Sequence, residues 1–114
     1  MKLVNEMSEE EKRYAREGFA NDEELSLYDL LFRDDLTKQE IAELKKMATE
    51  LLKKVKKRIA EIDHWRDKET TRANVVLDIR DVMYEMIPEP YLDSINDYVY
   101  KVYAYVYDHY PEAG

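Results

Sequence analysis

The chain has 114 residues, a formal net charge of −8 and no cysteine: enough length for one domain with one core, no disulfide or thiolate metal site, and a charge that argues against non-specific binding of nucleic acid or anionic lipid. Two glycines and three prolines are too few turn-formers for an all-β domain, whereas 39% charged and 45% hydrophobic residues suit amphipathic helices. No apolar run approaches the ~20 residues of a membrane span, and the opening Met1-Lys2-Leu3-Val4-Asn5-Glu6 is too short and polar for a signal peptide, so a soluble, cytoplasmic location with no membrane contact is expected.

In chain order, Ser8 with Glu11 reads as a capping box opening a short helix, which Gly18 stops by taking a left-handed cap. Asn21 caps a second short helix. Asp22, Glu23 and Glu24 suit its positive end, and Leu25, Leu27, Tyr28, Leu31 and Phe32 are its apolar residues. The run Arg33-Asp34-Asp35-Leu36 breaks the pattern. Thr37 with Glu40 is a second capping box. Behind it Ile41, Leu44, Ala48, Leu51, Val55, Ile59 and Ile62 recur every three or four residues, predicting a helix of about 25 residues with one buried stripe. Asp67 is the expected cap of the next helix, which carries Val75, Val76, Ile79, Val82, Met83, Met86 and Ile87 and ends at Pro88 and Pro90. The short link between these two long helices predicts an antiparallel pair.

The segment from Tyr98 to Tyr110, YVYKVYAYVYDHY, holds six of the ten tyrosines. As a strand, neither of its faces would be polar. As a helix, Asp93, Asp97, Lys101, Ala104 and Asp108 fall on one side and Ile95, Val99, Val102 and Val106 on the other. The helix sorts polar from apolar; the strand propensity of valine and tyrosine is weak beside that. Tyr98 and Tyr105 then flank the valine stripe on one edge, Tyr100 and Tyr107 on the other. Such borders suit tyrosine, whose ring packs while its hydroxyl stays wet. They are either rims of an internal helix contact or part of a surface for a protein partner.

No catalytic constellation emerges. His64 and His109 stand far apart, neither with a second histidine at ligand spacing. Ser8, Ser26 and Ser94 lack a nucleophile-elbow context, and there is no glycine-rich phosphate loop. Asp35 with Glu43-Leu44-Lys45 loosely imitates the acidic-x-Lys arrangement of metal-dependent nucleases, but Glu43 and Lys45, two apart on a helix, diverge. Lys45, Lys46, Lys53, Lys54, Lys56, Lys57 and Arg58 form the one positive concentration. It reads as a solvated face balanced by Glu43, Glu50 and Glu61, or as a phosphate-contacting strip. Trp65, in the turn between the two long helices, reads as a plug of the bundle's open end or as an anchor for a partner.

Residues 9–32, EEEKRYAREGFANDEELSLYDLLF, then the lysine-rich helix, then residues 64–91, HWRDKETTRANVVLDIRDVMYEMIPEPY, resemble the C-terminal helical region of the restriction (R) subunit of type I restriction-modification enzymes. The Gly-Phe-x-Asn-acidic stretch leading into LYDLL is the most specific part. Trp65 with Lys68 and Arg72, and the Pro-Tyr break at 88–91, are the second. The resemblance spans about residues 7–110. It implies a parent that is an ATP-dependent DNA translocase and site-specific endonuclease using ATP and Mg²⁺, whose C-terminal helices dock onto the modification (methyltransferase) subunit. None of that family's nuclease metal ligands or ATP-binding motifs stands in this sequence, so no catalytic, cofactor-binding or metal residue carries over. A chain of this length beginning with methionine reads as an excised domain or a detached remnant.

The expected architecture is therefore all-α: a single domain over residues 1–114, a compact bundle of two short and three long helices with no sheet. Its core is expected at Leu44, Leu51, Val55, Ile59, Val76, Ile79, Met83, Val99, Val102 and Val106. The expected function is non-catalytic assembly, with the modification subunit as partner, DNA met only through the parent complex, and docking anchors at Trp65, Tyr100, Tyr105 and Tyr107. The alternative is a DNA-backbone contact through Lys53, Lys54, Lys57 and Arg58. A free-standing acidic bundle that mimics DNA is disfavoured by that same basic face.

Overall fold

Gly18 sets the first turn of the chain. In the computed structural model, which describes residues 9–111, helix α1 (Glu9–Arg16) ends in a left-handed glycine at φ +92. The Gly18 N–H bonds to the carbonyl of Ala15 and the Phe19 N–H to that of Tyr14, the paired bonds of a Schellman cap. The expected Ser8 capping box lies outside the described residues. A Cβ at position 18 would meet nothing within 4 Å, so the demand for glycine is one of backbone angle alone. Gly18→Ala is expected to cost about 1 kcal/mol, read as a lower midpoint in urea with an unchanged slope; a variant as stable as the parent would refute the strain.

Helix α2 (Asp22–Leu31) starts where expected. The Asn21 side chain accepts from the Glu24 N–H at 3.0 Å, and the Glu24 carboxylate accepts from the Ala20 N–H at 2.9 Å. Leu25, Leu27, Tyr28 and Leu31 are buried, while Phe32 sits past the end of the helix and is exposed. Helix α3 (Lys38–Ala60) opens on the full Thr37–Glu40 capping box. Its buried face holds the predicted stripe but is wider, because Met47 and Leu52 are also buried; Ile41 and Ile62, at its ends, are half-buried. A second packing face is needed because α3 meets both α2 and α4.

Helix α4 (Glu69–Met86) begins one residue later than Asp67 predicts. Asp67 closes a 3₁₀ turn (Trp65–Asp67), its N–H bonded to the His64 carbonyl. Lys68 takes the cap position with no side-chain bond, and the Thr71 hydroxyl donates back to the carbonyls of Lys68 and Trp65. Burying the indole tightens this corner, and His64 turns it in the left-handed region at φ +53. Ile87 ends α4, and a second 3₁₀ segment (Glu89–Ser94) carries Pro90 and Tyr91 into helix α5 (Ile95–His109).

The tyrosine segment is thus helical, with Ile95, Val99, Val102 and Val106 buried as its periodicity requires. Among the described residues there is no strand. Two short and three long helices share one core, which contains the predicted residues except Val76, half-buried at its margin. Glu43 and Lys46 near the start of α3 border Ile87 at the end of α4, while Arg58 near the end of α3 reaches Asp78, so the two run antiparallel. Helix α4 lies between α3 and α5, and α2 packs on α3 and more lightly on α5. The result is a slab of 52 × 34 × 17 Å, two helix layers thick, given interaxial spacings of about 8–10 Å.

Candidate functional site

The two proline-rich and aromatic corners decide what the bundle exposes. At one, Tyr91 is fully buried and its hydroxyl donates to the Leu31 carbonyl at 2.6 Å. Its ring meets Tyr98 edge-on at 4.8 Å, and the Arg33 guanidinium stands 5.2 Å above it while donating to the Pro90 carbonyl. Burial pushes the Tyr91 phenol well above its ordinary pKa. This clamp ties the end of α2 to the start of α5. The Pro-x-Pro-Tyr sequence marked a break, but nothing local marked Tyr91 as core.

At the other corner Trp65 is fully buried. Its indole N–H donates to the Tyr110 carbonyl at 2.6 Å, and the rings of Tyr103 and Tyr107 meet it edge-on. Trp65 is therefore the plug of the bundle and offers no surface to a partner in this form; the anchor role expected for it gives way to packing. Tyr110 is held from three sides. Besides its carbonyl, its hydroxyl donates to Glu23 at 2.8 Å, and Lys56 lies over its ring while pairing with Glu23 at 2.5 Å. The bond from Lys56, then that from Tyr110, holds the Glu23 carboxyl below the usual carboxylate range, while burial, then Glu23, pushes the Tyr110 phenol up.

The remaining docking candidates are on α5. Tyr100 is 53% exposed and makes no hydrogen bond or ring contact among the described residues. Tyr107 is also exposed; one edge rests on Trp65 and the Arg66 guanidinium stands 5.1 Å above it. Tyr105 is half-buried on the opposite flank, stacked on His109 at 4.2 Å. The four residues therefore do not form one patch: Tyr100 and Tyr107 share an edge of α5, Tyr105 lies on the other, and Trp65 is beneath the surface.

The basic strip divides. Lys53, Lys54 and Lys57 are exposed and line a groove of about 500 Å³ between α3 and α4, together with Glu50, Glu61 and Glu85. Arg58 is committed: it holds the buried Asp78 through Nε at 2.6 Å and Nη2 at 3.2 Å. Lys45 pairs with Glu17 and Lys56 with Glu23. The ion-pair partners of this strip thus come from outside α3, from the turn after α1, from α2 and from α4, which periodicity along α3 could not show. The nuclease-like set is dispersed as well, with Asp35 bonded to Arg33, Lys45 to Glu17 and Glu43 to Gln39. Among the described residues no group of three or more His, Asp or Glu side chains is placed to hold a metal ion, and no helix is long and apolar enough to cross a membrane.

Fold and surface together define a small acidic helical bundle whose candidate sites are open faces. The chain belongs to the family described as type I restriction enzyme HindI endonuclease subunit-like, C-terminal, whose model matches residues 1–102. That family is the C-terminal domain of a type I restriction enzyme endonuclease subunit. No curated protein and no solved structure matches the chain.

Proposed function

We propose that this domain is a non-catalytic assembly module that docks a type I restriction subunit onto its modification (methyltransferase) subunit, in the cytoplasm. The observation that carries the reading is the group of large apolar side chains left at the surface of α4 and α5 in an otherwise well-sorted bundle, Leu77, Tyr84, Tyr100 and Tyr107, from 37% to 56% exposed, beside which Phe32 and Leu92 are exposed outside those two helices. Exposed aromatic and aliphatic groups of this kind supply the anchors of protein interfaces. On this reading the translocase and nuclease chemistry, with its ATP and Mg²⁺, belongs to other parts of the parent enzyme. DNA is met only through the assembled complex.

The alternative, a DNA-backbone contact through Lys53, Lys54 and Lys57, draws on their lack of ion-pair partners among the described residues. It is opposed by Glu50, Glu61 and Glu85 in the same groove and by the commitment of Arg58 to Asp78. Titration of the chain with purified modification subunit and, separately, with duplex DNA distinguishes the two. The expected result is a saturable complex with the modification subunit that a Lys53→Glu/Lys57→Glu variant also forms. Absence of that complex would sink the reading. So would duplex binding that weakens about a hundredfold between 50 and 200 mM salt, as four phosphate contacts require, and disappears in the charge-reversed variant.

A further inference from the structure

Among the described residues three arginines stand without a carboxylate, in a protein that carries 26 acidic residues against 18 basic ones. Arg13, Arg33 and Arg58 are paired with Asp29, Asp35 and Asp78. Arg66 and Arg72 bond only to backbone carbonyls, those of Tyr107 and Arg66, and Arg80 makes no ion pair or hydrogen bond among the described residues. All three follow the seam between α4 and α5. Arg66 covers the ring of Tyr107 on α5. Arg80 lies between Leu77 and Tyr84 at three- and four-residue spacing, which sets the three on one face of α4. The other flank of α4, with Asp78, Val82 and Glu85, borders the groove toward α3, so the Leu77–Arg80–Tyr84 line lies on the outer face of α4, away from that groove. The matching edge of α5 carries Tyr100 and Tyr107, again seven apart, with Tyr103 between them; Tyr103 and Tyr107 pack on Trp65 at the start of α4.

We infer that this seam is a docking groove for an acidic amphipathic helix of the partner protein. The apolar side of such a helix covers Leu77, Tyr84, Tyr100 and Tyr107, and its carboxylates pair with Arg66, Arg72 and Arg80. Two antiparallel helices leave between them a linear furrow of the kind that accepts a third helix. Arg72 and Arg80 are eight residues apart, about 12 Å along α4, so carboxylates about two turns apart on the incoming helix reach both. Arginine favours this role because its planar fork binds a carboxylate through two parallel bonds. A single-stranded nucleic acid also uses arginine and aromatic platforms, but the net charge of −8 and the aliphatic Leu77 in the line favour a protein. The inference rests on the proposed assembly role for the identity of the partner, which is the modification subunit.

Calorimetric titration of the chain with the modification subunit tests it. Arg80→Glu, and separately Tyr84→Ala/Tyr100→Ala, are expected to weaken binding at least tenfold while leaving the helical circular dichroism intact, since these side chains are not in the core. Lys53→Glu/Lys57→Glu, on α3 in the groove at the other side of α4, is expected to bind within twofold of the parent. If the parent chain binds and both seam variants bind equally well, the seam is the wrong face and the assembly role stands. If the parent chain does not bind, both fall together. Self-association of the chain, or binding of a single-stranded oligonucleotide, that Arg80→Glu abolishes would assign the seam to another occupant and overturn the inference.

Discussion

Replacing Trp65 by alanine is expected to remove about 4 kcal/mol of stability, more than any other substitution considered for this domain. The indole is fully buried, so its loss takes away a large apolar contact area and leaves a cavity walled by Tyr103 and Tyr107. It also leaves the Tyr110 carbonyl without its donor, which adds about 1 kcal/mol of unsatisfied polar group. Domains of this size have about 5–15 kcal/mol in total, so the variant is expected to be partly unfolded at 37 °C. The damage should spread to the end of α5, because Tyr110 is held jointly by Trp65, Glu23 and Lys56. Trp65→Phe keeps an aromatic plug but no N–H, and about 2 kcal/mol is expected for it. Urea denaturation followed by far-ultraviolet circular dichroism reads both. A Trp65→Ala variant within 1 kcal/mol of the parent would mean that the indole is not what closes the bundle.

Trp65 also marks where sequence reading stops. Helix existence was legible because each helix states its own case locally. Asn21, the Thr37–Glu40 box and Gly18 mark their ends, and the valine stripe of the last segment chooses helix over strand despite its tyrosines. Partners were not legible, because they join residues far apart in the chain. Trp65 meets Tyr110, Tyr91 meets Leu31, and Tyr110 meets Glu23. Periodicity places a side chain on a face but does not say which helix covers that face. Periodicity therefore leaves Met47 and Leu52 out of the buried stripe, sets Val76 too deep, and does not decide between plug and anchor for Trp65. The same limit applies to the candidate surface. Tyr100 and Tyr107 were visible as one edge of a helix, whereas Leu77, Arg80 and Tyr84 acquire meaning only once α4 is known to lie between α3 and α5.

Arg58 and Asp78 supply the second large effect, and it is expected to be asymmetric. The Asp78 side chain is 8% exposed and that of Arg58 is 37% exposed. Arg58→Met leaves a carboxylate buried beside α3 with no cation to hold it, at an expected cost of about 3 kcal/mol. Asp78→Ala removes the buried charge, and the freed guanidinium can turn toward the solvent-open groove that it lines. That variant is expected to lose only about 1 kcal/mol. The double variant Arg58→Met/Asp78→Leu, which fills the space with apolar groups, is expected to recover most of the stability lost in Arg58→Met, because a buried pair exchanged for packed hydrocarbon is close to neutral. Equilibrium denaturation of the parent, Arg58→Met, Asp78→Leu and the double variant closes a double-mutant cycle and isolates the coupling between the two positions. Two equal single losses would show that Asp78 reaches water once Arg58 is gone. A double variant no more stable than Arg58→Met would show that the pair fixes the α3–α4 register, since the hydrocarbon side chains would then fail to restore the packing.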